Sequence, residues 1–287
     1  MIPRSWLFVP GDSERKIARA LVAGADAVIL DLEDAVAPER KPGARQLTAA
    51  ALAARPAGSP PLWVRVNPVS SGLMSADLAA VMPGAPDGIV LPKPDSLADV
   101  EALDRVLTEL EGDRAGRAPT PVLAIVTETA LAVLNLPGYA APPTRLLGLT
   151  WGGEDLSAEL GATGNRAPDG EFHFTYRLVR SLCQIAAAAC GRPAFETIQP
   201  DFRDRAALER QARRAAEEGF SGMLAIHPDQ VPVINAAFTP TPEQLAHARR
   251  VLAAFDAAPQ AGTVQLDGRM LDRPHRAQAE RLLERAR

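Results

Sequence analysis

Short apolar runs rich in Val, Ile and Leu recur through the first 230 residues, and segments with helical spacing separate them. The runs predict strands at Ser5–Val9, Ala27–Leu32, Leu62–Val66, Gly88–Leu91, Val122–Val126, Leu146–Thr150, Ala194–Ile198 and Gly222–Ile226. They do not alternate apolar with polar residues, which is the pattern of parallel strands covered on both faces. Between them, Leu97, Val100, Leu103, Leu107 and Leu110 fall at helical spacing behind a capping-type Ser96-x-x-Asp99. Thr241-Pro242-Glu243-Gln244 is a capping box with Pro at the first helical position, ahead of Leu245, Val251, Leu252 and Phe255. Gly24 and Gly191 stand where helices should stop. Eight strands alternating with helices predict an α/β fold of the (β/α)8 TIM-barrel type. An open doubly wound sheet is the competing architecture, but no G-x-G-x-x-G or G-x-x-x-x-G-K-[ST] follows a strand.

Past residue 258 the texture changes. Residues 261–268 read as a short extended piece with a turn, and Arg276–Arg287 as a charged amphipathic helix. The expected organisation is a barrel domain over 1–258 and a tail over 259–287 that packs on a neighbouring subunit.

Composition narrows the possibilities. The chain has 287 residues, 47% hydrophobic and 23% charged, which excludes disorder. At about 150 residues per domain the length suggests two domains, yet a barrel of ~250 residues fits equally. A net charge of −4 argues against a nucleic-acid or anionic-membrane partner. No apolar run reaches the length of a membrane span, and the stretch from Met1 to Glu14 does not read as a signal peptide. Cys183 and Cys190 fall on one predicted helix about 10.5 Å apart, too far for a disulfide. Two free thiols suit a cytoplasmic location. The four histidines, His173, His227, His247 and His275, have no zinc or haem spacing, so any metal is expected to be a hard, oxygen-liking one.

In barrels, function gathers at the C-terminal ends of the strands. Here those ends carry Asp12, then Asp31, Glu33 and Asp34, then Arg65 and Asn67, Lys93, Glu128, Glu154 and Asp155, and finally His227. Several carboxylates facing one mouth repel unless a cation sits among them. Mg²⁺ suits such a site, since it takes one or two protein carboxylates and leaves its other positions to waters and substrate. Glu128 and Asp155, on consecutive strands, are the expected ligands, against the alternative of loop carboxylates that are solvated or paired with Arg. Arg65, in an otherwise apolar strand, needs an anionic partner, either a structural Asp or a substrate carboxylate. Lys93 reads as a Schiff-base lysine or as an ion-pair partner across the mouth, and its spacing favours the pair. His227 and the two cysteines read as structural.

The motifs Arg4-Ser5-Trp6-Leu7-Phe8-Val9-Pro10-Gly11, Val28-Ile29-Leu30-Asp31-Leu32-Glu33-Asp34-Ala35-Val36, Arg65-Val66-Asn67 and Leu91-Pro92-Lys93 occur in order. Glu128-Thr129-Ala130, Gly153-Glu154-Asp155-Leu156, Ile226-His227-Pro228-Asp229-Gln230 and Met270-Leu271-Asp272-Arg273-Pro274 follow. Together they resemble the citrate lyase beta-subunit family, the citryl-CoA and malyl-CoA lyases of the aldolase/citrate lyase superfamily, from Arg4 to about Pro274. The resemblance implies a TIM barrel assembled as a homotrimer or hexamer, with Mg²⁺ at the mouth held by Glu128 and Asp155. It implies substrate binding by Arg65, Arg4 and Lys93, with Arg65 as the carboxylate clamp. Glu33 and Asp34 are implied as an acidic pair near the metal waters, and Asp272 as an acid/base that reaches the adjacent subunit's site.

The implied activity is a Mg²⁺-dependent carbon–carbon lyase acting on a 3-hydroxyacyl-CoA thioester such as citryl-CoA, malyl-CoA or citramalyl-CoA. The products are an acyl-CoA and an α-keto acid. A thioesterase or synthase on malyl- or citramalyl-type esters, and a subunit of a multi-subunit citrate lyase, are the competing readings. The chain departs from the family pattern at Gly153, where many relatives have Ala, and at Glu196, where Asp is common. Gln199-Pro200 and the stretch from Gly164 to Tyr176 also depart from it. These positions border the loops that shape the acyl pocket, so they bear on substrate identity rather than reaction class.

Overall fold

A computed structural model of the chain describes residues 2–112 and 118–286. Met1 and Arg287, the expected end of the last helix, lie outside the described residues. Eight parallel strands close into a barrel: β1 (Ser5–Pro10), β2 (Ala27–Asp31), β3 (Leu62–Arg65), β4 (Gly88–Leu91), β5 (Val122–Ile125), β6 (Leu146–Thr150), β7 (Ala194–Glu196) and β8 (Gly222–Ala225). Each pairs with its sequence neighbours, and β8 returns to β1. This is the expected (β/α)8 barrel, with all eight strands where the apolar runs fall. β7 is two residues shorter than expected, because the Thr197 N–H bonds to the Glu196 carboxylate at 2.9 Å instead of continuing the ladder.

The capping signals act as read. Ser96 and Asp99 close a capping box on the helix Leu97–Glu111, and Thr241 with Gln244 does so on Pro242–Asp256. Cys183 lies within the helix Phe174–Ala189 and Cys190 just beyond it, both as free thiols.

The contacts divide the chain into two compact units, Ile2–Asn235 and Ala236–Arg287. In the first, alternate strand residues point inward. Trp6, Ala27, Ile29, Trp63, Val90, Leu123, Ile125, Phe195 and Leu224 fill the barrel interior. Trp6 stacks edge-on against Trp63 and Phe195, with centroids 4.9 and 5.0 Å away. The Trp63 ring occupies the space a side chain on Gly88 would need: a Cβ there would lie 2.2 Å from the indole. The bulk of one strand is thus matched by its absence on the next.

The second unit has its own small core of Ala248, Val251, Phe255, Leu271 and Ala279. The expected single extended piece is a hairpin, β9 (Thr263–Leu266) against β10 (Arg269–Asp272). Asp267 and Gly268 form its two-residue turn, both with positive φ (52° and 77°), as an Asp-Gly type I′ turn requires. β10 carries two charged residues in four, so its apolar signal is weak. The last helix begins at Arg273 rather than Arg276, with Asp272 as its N-terminal flanking residue.

Adding a methyl at Gly88 should overpack the barrel at Trp63. Gly88→Ala is expected to cost about 1–3 kcal/mol and to lower the thermal midpoint by several degrees. Circular dichroism melts check this, and an unchanged midpoint would contradict the packing account.

Candidate active site at the barrel mouth

The inward-facing parity that buries Ala27 and Ile29 on β2 puts Asp31 next, at the top of the barrel interior. On β3 the same parity carries Trp63 to Arg65. Asp31 and Arg65 are also register partners across the two strands, so their side chains meet without any loop rearrangement. Arg65 donates from Nε to Asp31 Oδ1 at 2.7 Å and from Nη2 to Oδ2 at 2.6 Å, a two-bond fork. Its Nη1 lies 2.8 Å from Glu33 Oε2. The partner that the apolar strand demanded is therefore a protein Asp. Two of the five guanidinium N–H groups are hydrogen-bonded in this fork, and Nη1 faces Glu33 as an ion pair.

Lys93 is the second cation of the mouth. It sits in left-handed backbone geometry (φ 50°) just past β4. Its Nζ lies 2.8 Å from Asp34 Oδ2 and 3.1 Å from Asp155 Oδ1, and it pairs closely with Glu33. Burial works to lower the Lys93 pKa, but the bonds from Asp34 and Glu33 outweigh it and hold the ammonium protonated well above its ordinary range. This is the ion-pair reading of Lys93; a Schiff-base lysine needs a free amine. The turn also aims the Lys93 backbone N–H at Glu128 Oε2, 2.7 Å away.

Glu128 is buried at the end of β5. Burial, then the nearby Asp155 charge, push its carboxyl up to about 8, against the pull of Arg65 and Lys93. Gly152, just after β6, makes room for it, since a Cβ there would lie 2.6 Å from Glu128 Cγ. Glu33 is raised as well, chiefly by burial, despite Arg65 and Lys93. For Asp34, burial pushes upward, but the Lys93 bond and charge overcome it and leave the carboxyl below its usual range. Asp34, Arg65, Glu128 and Asp155 line a cavity of about 330 Å³, walled by Phe8, Trp151 and Ile226 among others.

Beneath the mouth, Lys41 ties down the loop after β2. Its Nζ donates to the carbonyls of Leu32 (2.8 Å) and Glu33 (2.9 Å) and to Asn67 Oδ1 (2.7 Å). Sequence reading passed over Lys41, which lies at the start of a helix, well beyond any strand end. Only its position behind the acidic loop reveals its role. Glu196, marked in the sequence only as a departure, is fully buried and accepts from Trp151 Nε1 at 2.7 Å and Arg180 Nε at 2.6 Å. At Gly153 a Cβ would lie 3.2 Å from the Trp151 ring, so an Ala there would need the ring to give by a few tenths of an ångström. His227 stacks on Phe202 and accepts from the Asp229 N–H, a structural role as expected.

Two expected site residues are not among those that line this cavity. Arg4 precedes β1, at the N-terminal foot of the barrel, and its side chain forks onto Asp26 at 2.7 and 2.9 Å. The reading of Arg4 as substrate-binding is corrected on this ground: in a parallel barrel, the start of a strand is at the end opposite the mouth. Asp272 belongs to the second unit, where its Oδ1 lies 2.5 Å from His275 Nδ1.

The donor set of the mouth fits a hard divalent cation. Among the described residues, the cations that Asp31, Glu33, Asp34, Glu128 and Asp155 face there are Arg65 and Lys93. The destabilised Glu128 carboxylate and its neighbour Asp155 supply two oxygen donors. Among the described residues, no group of three or more His, Cys, Asp or Glu side chains forms an all-protein metal cage. Mg²⁺ needs only one or two protein carboxylates and takes its other ligands from water and substrate.

Residues 4–228 match the family described as HpcH/HpaI aldolase/citrate lyase. The chain is 39% identical over 281 residues to a citrate lyase subunit beta-like protein of Mycobacterium tuberculosis, covering 98% of this chain and 94% of that protein. It is 34% identical over 293 residues to a mitochondrial citramalyl-CoA lyase of Rattus norvegicus, covering 98% and 85%. The crystal structure of the protein CitE from M. tuberculosis, in complex with magnesium, acetoacetate and coenzyme A, is similar with a TM-score of 0.81 and 38% identity. That match covers 99% of this chain and 97% of the other.

The raised Glu128 carboxyl has a stability consequence in metal-free protein. A carboxyl whose folded value lies above its unfolded one stabilises the fold at low pH and loses that contribution as pH rises towards the folded value. Between about pH 5 and 8, metal-free wild type should therefore lose stability that Glu128→Gln retains. Thermal melts in EDTA should show the variant melting above wild type near pH 8 and level with it near pH 5. Parallel curves would remove the burial argument for Glu128.

Proposed function

Because the chain belongs to the HpcH/HpaI aldolase/citrate lyase family, we propose that it is a Mg²⁺-dependent carbon–carbon lyase for a 3-hydroxyacyl-CoA thioester. The substrate is of the citryl-, malyl- or citramalyl-CoA type, and the products are an acyl-CoA and an α-keto acid. The observation that carries this reading is the buried Glu128 beside Asp155 at consecutive strand ends, with Arg65 on the same cavity and Lys93 3.1 Å from Asp155. Among the described residues no helix is long and apolar enough to cross a membrane. With two free thiols, this supports a cytoplasmic location.

Glu128 and Asp155 would hold the magnesium. When bound, it supplies a Lewis acid that lowers the pKa of the substrate hydroxyl and neutralises charge developing on oxygen. The chain's own groups do the rest. The N–H groups of Arg65 outside its fork with Asp31 grip the carboxylate of the departing keto acid and fix its orientation. Asp34 lines the cavity, whereas Glu33 is held behind it between Arg65 and Lys93, so Asp34 takes the hydroxyl proton and Glu33 positions the two cations. The carbon–carbon bond then breaks: the alkoxide oxygen becomes the keto carbonyl and the bonding pair passes into the thioester enolate. Asp272 returns a proton to that enolate carbon from an adjacent chain of a homotrimer or hexamer.

Glu128→Gln and Asp155→Asn should each lower Mg²⁺-dependent turnover at least about a hundredfold while leaving the fold intact by circular dichroism. Full activity in both variants would remove the metal assignment. Product analysis across a panel of CoA esters separates the competing chemistry, since free CoA without a keto acid indicates hydrolysis rather than cleavage. For the tail, Asp272→Asn chains mixed with Glu128→Gln chains should recover part of the wild-type rate in hetero-oligomers. An absence of recovery at every mixing ratio would place Asp272 outside the neighbour's chemistry.

A further inference from the structure

A second cavity, of about 210 Å³, lies on the flank of the barrel. A tight loop, the helix Phe174–Ala189 and the helix Arg205–Glu218 form its walls. The loop is closed by an antiparallel bridge between Arg166 and Phe172. Five arginines line the cavity, and their pairing is uneven. Arg214 is paired with Glu171, and Arg180 with Glu196 and Glu218. Asp169, the fourth carboxylate of the lining, accepts the Glu171 N–H at 3.0 Å within its own turn.

The other three guanidinium groups have no carboxylate within ion-pair distance among the described residues. Arg177 and Arg210 enter from the two helices. Arg166 lies flat on the Phe172 ring, 3.7 Å from its centre, donating to the Gly170 carbonyl and to Gln211 Oε1. Its Nε is buried without a hydrogen-bond partner. Three cations converging on one small concavity repel one another, and a planar fork of donors matches the oxygens of a carboxylate or phosphate.

This cavity shares a wall with the mouth. Phe172 meets the Trp151 indole edge-on, with centroids 4.9 Å apart, and Trp151 lines the mouth cavity. Glu196 joins the two sides, with one oxygen on Trp151 Nε1 and the other on Arg180 Nε. Both the unmatched stretch 164–176 and the Glu at 196, departures from the family pattern, thus contribute to this cavity.

We propose that the flank cavity is a second binding site for a small oxyanion of two or more negative charges, held by Arg166, Arg177 and Arg210. Its occupancy is relayed to the mouth through Phe172, Arg180 and Glu196 to Trp151. The shared chemistry is a multivalent oxyanion, whether phosphate or a di- or tricarboxylate.

The test uses the full chain without magnesium or thioester, so it does not depend on the lyase reading. Inorganic phosphate and citrate are titrated separately by calorimetry and by tryptophan fluorescence. Saturable binding of either is expected, and which arm binds identifies the source class. The double variant Arg177→Ala/Arg210→Ala should bind about tenfold or more weakly and lose the fluorescence change, with an unaltered melt. The matching Lys pair should recover part of the binding by restoring charge without the forks. Failure of both anions to bind, or equal binding by the Ala variant, would overturn the site. Binding with no tryptophan response would overturn the relay to the mouth.

Discussion

Carboxylates crowded into a poorly solvated barrel mouth repel one another, and everything around this site answers that repulsion. Two like charges 4 Å apart at a protein surface oppose each other by about 4 kcal/mol. Five carboxylates are nonetheless gathered here. Arg65 restrains Asp31 and Glu33, and Lys93 restrains Glu33, Asp34 and Asp155. Among the described residues Glu128 accepts a hydrogen bond only from the Lys93 backbone N–H. Burial, then the neighbouring Asp155 charge, raise its pKa against the pull of Arg65 and Lys93. A divalent cation among these carboxylates would relieve that repulsion.

The barrel makes this crowding possible because its geometry is rigid and periodic. Alternation along β2 and β3 delivers Asp31 and Arg65 to the inner top layer, and the inter-strand register sets them opposite each other. Small residues then make room where large ones converge. Gly88 admits the Trp63 ring to the core, and Gly152 admits the Glu128 side chain to the mouth. Lys41 fastens the backbone that carries Glu33 and Asp34 with two hydrogen bonds to that loop and a third to Asn67. The flank cavity uses the same arrangement in the opposite sense, with guanidinium groups in excess beside a buried glutamate that also holds Trp151.

Much of this was legible in the residues. Apolar runs placed all eight barrel strands, because a strand buried on both faces is apolar along most of its length, and the capping boxes at Ser96 and Thr241 marked helix starts through local hydrogen bonding. Strand-end position sufficed to select Glu33, Asp34, Arg65, Lys93, Glu128 and Asp155. Arg4 came from the family resemblance instead, where the motif runs back past the start of β1 to the far end of the barrel. The β10 strand was missed because a hairpin's second strand is defined by its partner and its Asp-Gly turn, more than by its own four residues.

What the sequence determined by itself was the architecture and the set of charged groups at the strand ends, since both follow from short-range periodicity and the direction of parallel strands. Only the tertiary structure decided which charges pair. Arg65 takes Asp31, 34 residues away in the chain, and Lys93 reaches back 60 residues to Glu33. Glu196 joins an indole and a guanidinium from separate elements. Ion pairing and desolvation depend on distances across the barrel, and those distances exist only once all eight strands have closed.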